Sequence, residues 1–226
     1  GMAQLVVVEE EFLLPIPEGL SMEKAALTEP LSVAEHCVGN RTSIKENDRV
    51  VVSGPGIIGI LCAISARSRG AEVLVVGTEK DEQVRLSAAG ELGFRTLIVG
   101  QARLPLHEQV EKQFPGGADA LIEASGSPFA LGDSWRSVRP DGVVTAVALY
   151  ARAIELDLTQ FLRKQIDLRT SYASSRADYN RAFELLRNGD VESNILLSFY
   201  NLTEAEQGFA DSESLKVMKA MINCQS

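Results

Sequence analysis

Gly54-Pro55-Gly56-Ile57-Ile58-Gly59 follows the apolar run Val50-Val51-Val52 and leads into a helical pattern from Ile60 to Ser68. A lone G-x-G-x-x-G is a weak signal; a strand, a glycine turn and a helix in that order are what a dinucleotide site requires physically. Gly54 permits the tight turn. Gly56 lets the backbone approach a pyrophosphate, and Gly59 lets the helix pack closely on the strand, with its N-terminus facing the phosphates. The same six residues read more plainly as a bare strand-to-helix turn with nothing bound.

Outward from this turn the chain alternates strand and helix. Glu72 to Val76 is a second strand, closing a βαβ unit. Glu82 to Leu92 reads as a helix stopped by Gly93, Thr96 to Val99 as a third strand, and Leu106 to Phe114 as a helix. Ala120 to Glu123 is a fourth strand ending at Ser125-Gly126. Phe129 to Val138 reads as a helix closed by Pro140-Asp141-Gly142, and Val143 to Leu149 as a fifth, fully apolar strand. The expectation is an α/β doubly wound parallel sheet of five strands. Right-handed crossovers place Ser53-Gly54, Gly77-Thr78, Ser125-Gly126 and Ala148-Leu149 along one edge, where a ligand would lie.

The two ends depart from this alternation. Leu5 to Val8 and Phe12 to Leu14 are short β-like runs, followed by a helical stretch through Ala25-Ala26-Leu27 to Val38. Asp178 to Leu186 reads as a helix, Ile195 to Tyr200 as a strand, Thr203 to Phe209 as a helix capped by Thr203 with Glu206 three residues on, and Leu215 to Ile222 as a last strand. These pieces carry too little apolar surface for a core of their own, so they must pack on the sheet or on something else.

Composition bounds the function. The 226 residues are 45% apolar and 23% charged, with a net charge of -9. That balance argues against a nucleic-acid surface and against an anionic membrane. With no apolar stretch long enough to span a bilayer and no charged-then-apolar leader, the expected location is the cytoplasm. Gly1 before Met2 reads as a tag remnant. Cys37, Cys62 and Cys224 form no C-x-x-C pair, so neither a disulfide framework nor a thiolate zinc site follows from their spacing. Cys62 reads as a small buried apolar residue. His36 lies about one helical turn beyond Ser32, and His107 at the start of an exposed helix, where it reads as solvated; two isolated histidines support no Ser-His-Asp or Cys-His arrangement.

The segments Phe12 to Pro17, Ala25 to His36, Asp48 to Gly59, Gly70-Ala71, Glu91-Leu92-Gly93, Gly117-Ala118-Asp119, Ile122 to Gly126, Arg139 to Gly142 and Leu215-Lys216-Val217 resemble the zinc-type medium-chain dehydrogenases. The likeness is to the C-terminal portion of the sorbitol and threonine dehydrogenase branch. It implies a Rossmann domain at 41–174, flanked by remnants of a GroES-like catalytic domain, with a hinge helix, at 1–40 and by a return into that domain at 175–226. It also implies hydride transfer between a nicotinamide cofactor and a small-molecule alcohol or carbonyl, with zinc polarising the oxygen. The family's Gly-His-Glu motif and zinc-binding cysteine have no counterpart here. By resemblance Glu29, in Glu29-Pro30-Leu31, binds the metal or its water. One carboxylate cannot supply the three protein ligands of a catalytic zinc, so this chain alone is expected to hold none and to be inactive. Glu29 also reads simply as an acid at the N-terminus of a helix. The chain is then either part of a longer enzyme or a stand-alone nucleotide-binding module. A zinc-free quinone or enoyl reductase relative is a further alternative, against which Glu29-Pro30-Leu31 counts.

Cofactor choice turns on the end of the second strand. An NAD enzyme places an acid about twenty residues past the last glycine; counting from Gly59 reaches Thr78. Gly77-Thr78 leaves room and a hydroxyl for a 2′-phosphate, with Lys80 or Arg85 to pair with it, so NADP is favoured over NAD. Glu79 could instead turn onto the ribose. By resemblance Ile57 and Ile58, Ser125, the run Val147, Ala148 and Leu149, and the pair Ser171 and Tyr172 line the rest of the cleft, the last run and pair near the nicotinamide. The edge formed by Val143 to Leu149 and Ala153 to Leu158, where Ile154, Leu156 and Leu158 alternate with Glu155 and Asp157, is expected to pair across a two-fold axis in a homodimer.

Overall fold

The computed structural model describes residues 2–225, so Gly1 lies outside them. Two short helices, α1 (Met22–Ala25) and α2 (Thr28–Glu35), lead in, and α2 widens into a π-helical turn over His36–Thr42. The alternation then runs β1 (Arg49–Ser53), α3 (Ile57–Ser68), β2 (Glu72–Thr78), α4 (Ser87–Glu91), β3 (Arg95–Val99) and α5 (Leu106–Gln113). It continues through β4 (Ala118–Glu123), α6 (Pro128–Asp133), β5 (Val138–Ala146), α7 (Leu158–Lys164) and β6 (Asp167–Thr170). After these come α8 (Arg176–Asn188), α9 (Ser193–Leu196), β7 (Leu197–Asn201), α10 (Ala205–Glu213) and β8 (Lys219–Asn223).

The first six strands form one parallel sheet in the order β3-β2-β1-β4-β5-β6. Valine runs suit it because both faces are covered: Val50 and Val52 pack into one apolar cluster, with α2, α3 and α8, while Val51 packs into the other, with α5 and Phe161 of α7. All six strands run the same way, so their C-terminal ends share the edge inferred from the sequence.

Four expectations need correction. The sheet has six strands, and the edge beyond β5 is β6, which pairs with it from Val143↔Asp167 to Ala146↔Thr170. Asp-Leu-Arg-Thr carries no apolar run, as suits a short edge strand. Second, β5 begins at Val138 and ends at Ala146, so Val147 to Leu149 is loop and Ala153 to Asp157 is no strand. The expected helix over Phe129 to Val138 is α6, which tightens into a 3-10 turn over Ser134–Arg136 and gives way to β5 at Val138; Pro140-Asp141-Gly142 does not close it but lies inside β5 as an irregularity. There Ala118 pairs with Val138 and Ala120 with Val143, and Asp141 takes a φ of 59°. Turn residues inside a strand mark a bulge. Third, Leu5 to Val8 is exposed and belongs to no strand, and Glu10–Phe12 is a 3-10 turn. Fourth, α10 is entered through a capping box made by Asn201 and Glu204, not by Thr203, and Leu215 to Met218 is turn ahead of β8.

From Leu27 on, the flanking pieces contribute to the core of the sheet domain, whereas Leu5 to Val8, Phe12 and Leu13 stay exposed. Leu27 and Leu31 from the N-terminal side and Leu185 and Leu186 of α8 join the same cluster as Ile60 and Leu61 of α3. An ion pair crosses this layer: Glu35, 1% exposed, receives the Arg69 guanidinium at 2.7 and 3.2 Å. Asp178 binds the π-helical turn to α8, accepting Ser175 N–H and hydroxyl at 2.7 Å each and Asn40 Nδ2 at 2.8 Å, with His36 Nδ1 at 3.2 Å.

Burial pushes the Asp178 carboxyl up, but the Ser175 hydroxyl and N–H and the neighbouring His36 pull it down further, so it lies below the ordinary carboxylate value. A depressed folded-state pKa adds stability that is complete above the unfolded value, about 4, and is lost as pH falls through the folded one. Asp178→Asn is therefore expected to lower stability by about 1–2 kcal/mol at pH 7, as for other cap losses. The gap between parent and variant should narrow in melts below about pH 4; a gap independent of pH would contradict the assignment.

Candidate functional site

The glycines of the turn have different jobs. Gly54 has φ +101°, and a Cβ there would lie 2.5 Å from Ser125 N. A Cβ on Gly59 would lie 1.9 Å from the Gly54 carbonyl oxygen. Both glycines are therefore demanded by the chain's own packing. Gly56 is not: its φ of -69° and ψ of 174° suit any residue, and a Cβ there meets nothing within 4 Å. The helix it caps, α3, has no side-chain cap and no acid in its first turn. Its first N–H groups and the positive end of its dipole thus face an open place kept clear by Gly56. An anion approaching the backbone there is what this arrangement suits.

At the end of β2 the structure redistributes the expected groups. Thr78, Glu79 and Lys80 are exposed. Asp81, 8% exposed, folds back so that Oδ2 accepts Thr78 N–H at 2.9 Å and the Thr78 hydroxyl at 2.8 Å, while Oδ1 faces Arg85 at 3.3 Å. The space beside Gly77 is already filled, since a Cβ there would lie 2.8 Å from Pro55 Cγ and 3.1 Å from both Asp81 Cβ and Leu86 Cδ2. Gly77 thus serves packing, and the Thr78 proton and Arg85 are committed to Asp81. Lys80 has no ion pair among the described residues. The Asp81 box was missed in the sequence, although Thr78 with an acid three residues on is a capping-box spacing.

Ser125, exposed, and Val147, Ala148 and Leu149 lie on the loops after β4 and β5, at the same edge as Gly54. Ser171 follows β6, with its N–H on the Ala146 carbonyl at 2.9 Å. The Ser171 hydroxyl is buried with no hydrogen-bond partner in the structure; the Cys37 thiol stands beside it, and sulfur is only a weak partner. A buried hydroxyl left without a strong partner at a ligand edge suits a ligand's polar group. Tyr172 is 81% exposed. Cys62 is buried, as expected, and adjoins Cys37 between α3 and the π-helical turn; both are 0% exposed. His107 is half-buried, not solvated, and its Nδ1 is buried without a partner.

Glu29 lies elsewhere, exposed on the wall of a groove of about 510 Å³ that Glu11, Phe12, Ser174, Arg176 and Tyr179 also line. Among the described residues no group of three His, Cys, Asp or Glu side chains could hold a metal ion. The described residues therefore do not by themselves fit a catalytic zinc, which takes three protein ligands.

Sheet order, crossover helices and glycine turn together define a Rossmann-type α/β chain. The family model for zinc-binding dehydrogenases matches residues 58–188, more than half of the chain, which belongs to that family. It is 32% identical over 225 residues to a sorbitol dehydrogenase of Halalkalibacterium halodurans, covering 98% of this chain and 65% of the relative. It is 30% identical over 224 residues to a D-arabitol-phosphate dehydrogenase of Enterococcus avium, covering 96% of this chain and 63% of that protein. The crystal structure of 2R,3R-butanediol dehydrogenase from Bacillus subtilis shares the fold, with a TM-score of 0.87 at 24% identity, over 96% of this chain and 62% of that one. The chain thus spans somewhat less than two thirds of the length of the relatives it matches. Among the described residues no helix is long and apolar enough to cross a membrane.

Proposed function

We propose that this chain is the nicotinamide-dinucleotide-binding portion of a zinc-type alcohol or polyol dehydrogenase. The observation that carries this reading is Gly56, a glycine that neither backbone angle nor packing within the chain requires, at the uncapped end of α3. The proposed contacts are Gly54, Gly56, Ile57, Ile58 and Gly59 at the pyrophosphate, Thr78 and Lys80 at the adenosine end, Ser125 along the cleft, and Val147, Ala148, Leu149 and Ser171 toward the nicotinamide. When bound, the cofactor supplies the hydride acceptor or donor. The chain's own residues bind its phosphates on α3, orient it along the sheet edge, and offer the Ser171 hydroxyl to it. The substrate class is a small alcohol, polyol or the matching carbonyl, in the cytoplasm, without nucleic acid or membrane. Residues 1–40 and 175–226 belong to the catalytic-domain side and 41–174 to the cofactor domain. Glu29 is assigned to a metal whose other ligands lie outside the described residues.

Titration of the purified chain with NADH and NADPH, followed by fluorescence or calorimetry, tests this reading; a folded chain that binds neither would overturn it. Within it, NADP is placed ahead of NAD because residue 78 is no acid and Lys80 is an exposed cation beside it. Thr78→Asp, its folding checked by circular dichroism because it gives up the hydroxyl that Thr78 donates to Asp81 at 2.8 Å, sets a carboxylate against the 2′-phosphate. It is expected to weaken NADPH roughly tenfold relative to NADH. An unchanged ratio would move the choice of cofactor to another residue.

A symmetric homodimer is proposed as well, now through β6 as the free sheet edge. Leu168 there is 38% exposed, and Leu158 and Leu162 on adjoining α7 are 58% and 69% exposed. Light scattering at micromolar concentration should give twice the chain mass; a monomer would contradict the assignment.

A further inference from the structure

Glu123 ends β4 with a side chain that is 0% exposed, and none of the ion pairs among the described residues includes it. Burying a carboxylate away from water without a cation is unfavourable unless donors replace the water. Four converge on it. Oε1 accepts Ser125 N–H at 2.8 Å and the Ser125 hydroxyl; Oε2 accepts Gly126 N–H at 3.3 Å and the Tyr150 hydroxyl. The main-chain carbonyl of the same residue accepts Val147 N–H at 2.9 Å and Ala148 N–H at 3.3 Å. One residue therefore ties together the loop after β4 and the loop after β5. Burial, with the Glu123 hydrogen bond and charge, pushes the Tyr150 phenol far above its ordinary value, so it stays a donor. A structural knot could have been made with a neutral acceptor; here it is made with a net charge and no counter-ion.

We infer that Glu123 is a positioning residue for the nicotinamide half of the cofactor, and that its uncompensated charge favours the oxidised cofactor, whose ring is cationic, over the reduced one. The inference rests on the cofactor reading above. A charge in a poorly screened interior acts over several ångströms, so its removal should change the preference between the two oxidation states by roughly tenfold.

The test compares the affinities of oxidised and reduced cofactor, both in the phosphate form the parent chain prefers, for the parent, Glu123→Gln and Tyr150→Phe. Folding is checked by circular dichroism. Glu123→Gln is expected to bind both forms more weakly and to lose roughly tenfold of the oxidised-over-reduced ratio. Tyr150→Phe keeps the charge and should weaken both forms alike, several-fold, with the ratio intact. A folded Glu123→Gln with an unchanged ratio would overturn the inference while leaving the cofactor reading in place. If Glu123→Gln does not fold, Tyr150→Phe decides the positioning, with binding equal to the parent overturning it, and the double variant of Glu123→Leu with Tyr150→Phe, which removes the carboxylate together with its phenol donor, decides the charge, with an unchanged ratio overturning the inference. A parent chain that binds neither oxidation state would overturn both readings together.

Discussion

Gly56→Val is expected to leave the chain folded, with a loss below about 1 kcal/mol, and to weaken binding of NADH and NADPH roughly a hundredfold. The small loss follows from extended backbone angles and from the open space that a Cβ would enter; what remains is a poorer residue at the helix start. The large loss of binding follows because the new side chain would occupy the place where a pyrophosphate reaches the first N–H groups of α3. Circular dichroism melts and a dinucleotide titration check the two halves separately. Retained binding would mean that no ligand backbone passes Gly56.

Gly59→Ala should do the reverse. A Cβ 1.9 Å from the Gly54 carbonyl oxygen cannot be accommodated by a side-chain rotation, because backbone stands on both sides. Either α3 moves off β1 or the turn unwinds. The expected loss is about 3 kcal/mol or more, read as a fall in melting temperature of about 10 °C. A melting temperature near the parent's would mean that the turn is looser than this contact implies. Two glycines of one motif, three residues apart, are thus separable by experiment: one answers to the fold and the other to a ligand.

What the sequence showed of the fold was whatever a short window encodes. Val50-Val51-Val52 announces a strand buried on both faces, and the glycine spacing announces the turn after it, because both signals are local. The Asp167–Thr170 strand stayed hidden: an edge strand has one neighbour and no need of an apolar run. Pro140-Asp141-Gly142 misled for the opposite reason, since its turn chemistry serves a bulge inside β5 and only the pairing with β4 reveals that. At the site the glycines were legible, whereas Glu123, Asp81 and the Cys37 and Cys62 neighbours were not. Their roles depend on which loops converge in space, and Glu123 is separated from Tyr150 by a whole helix and strand.

The strand order β3-β2-β1-β4-β5-β6 has a seam at its centre. The first three strands wind outward from β1 and the next three outward from β4, and the halves meet where Val50 to Ser53 pairs with Ala120 to Glu123. At the top of that seam Gly54 and Ser125 touch backbone to backbone. A ligand laid across it would grip both halves at once and oppose their separation. Amide hydrogens of β1 and β4, rather than those of the outer strands, should then gain the most protection from exchange when a dinucleotide binds, since the opening that exposes them is the one the ligand bridges.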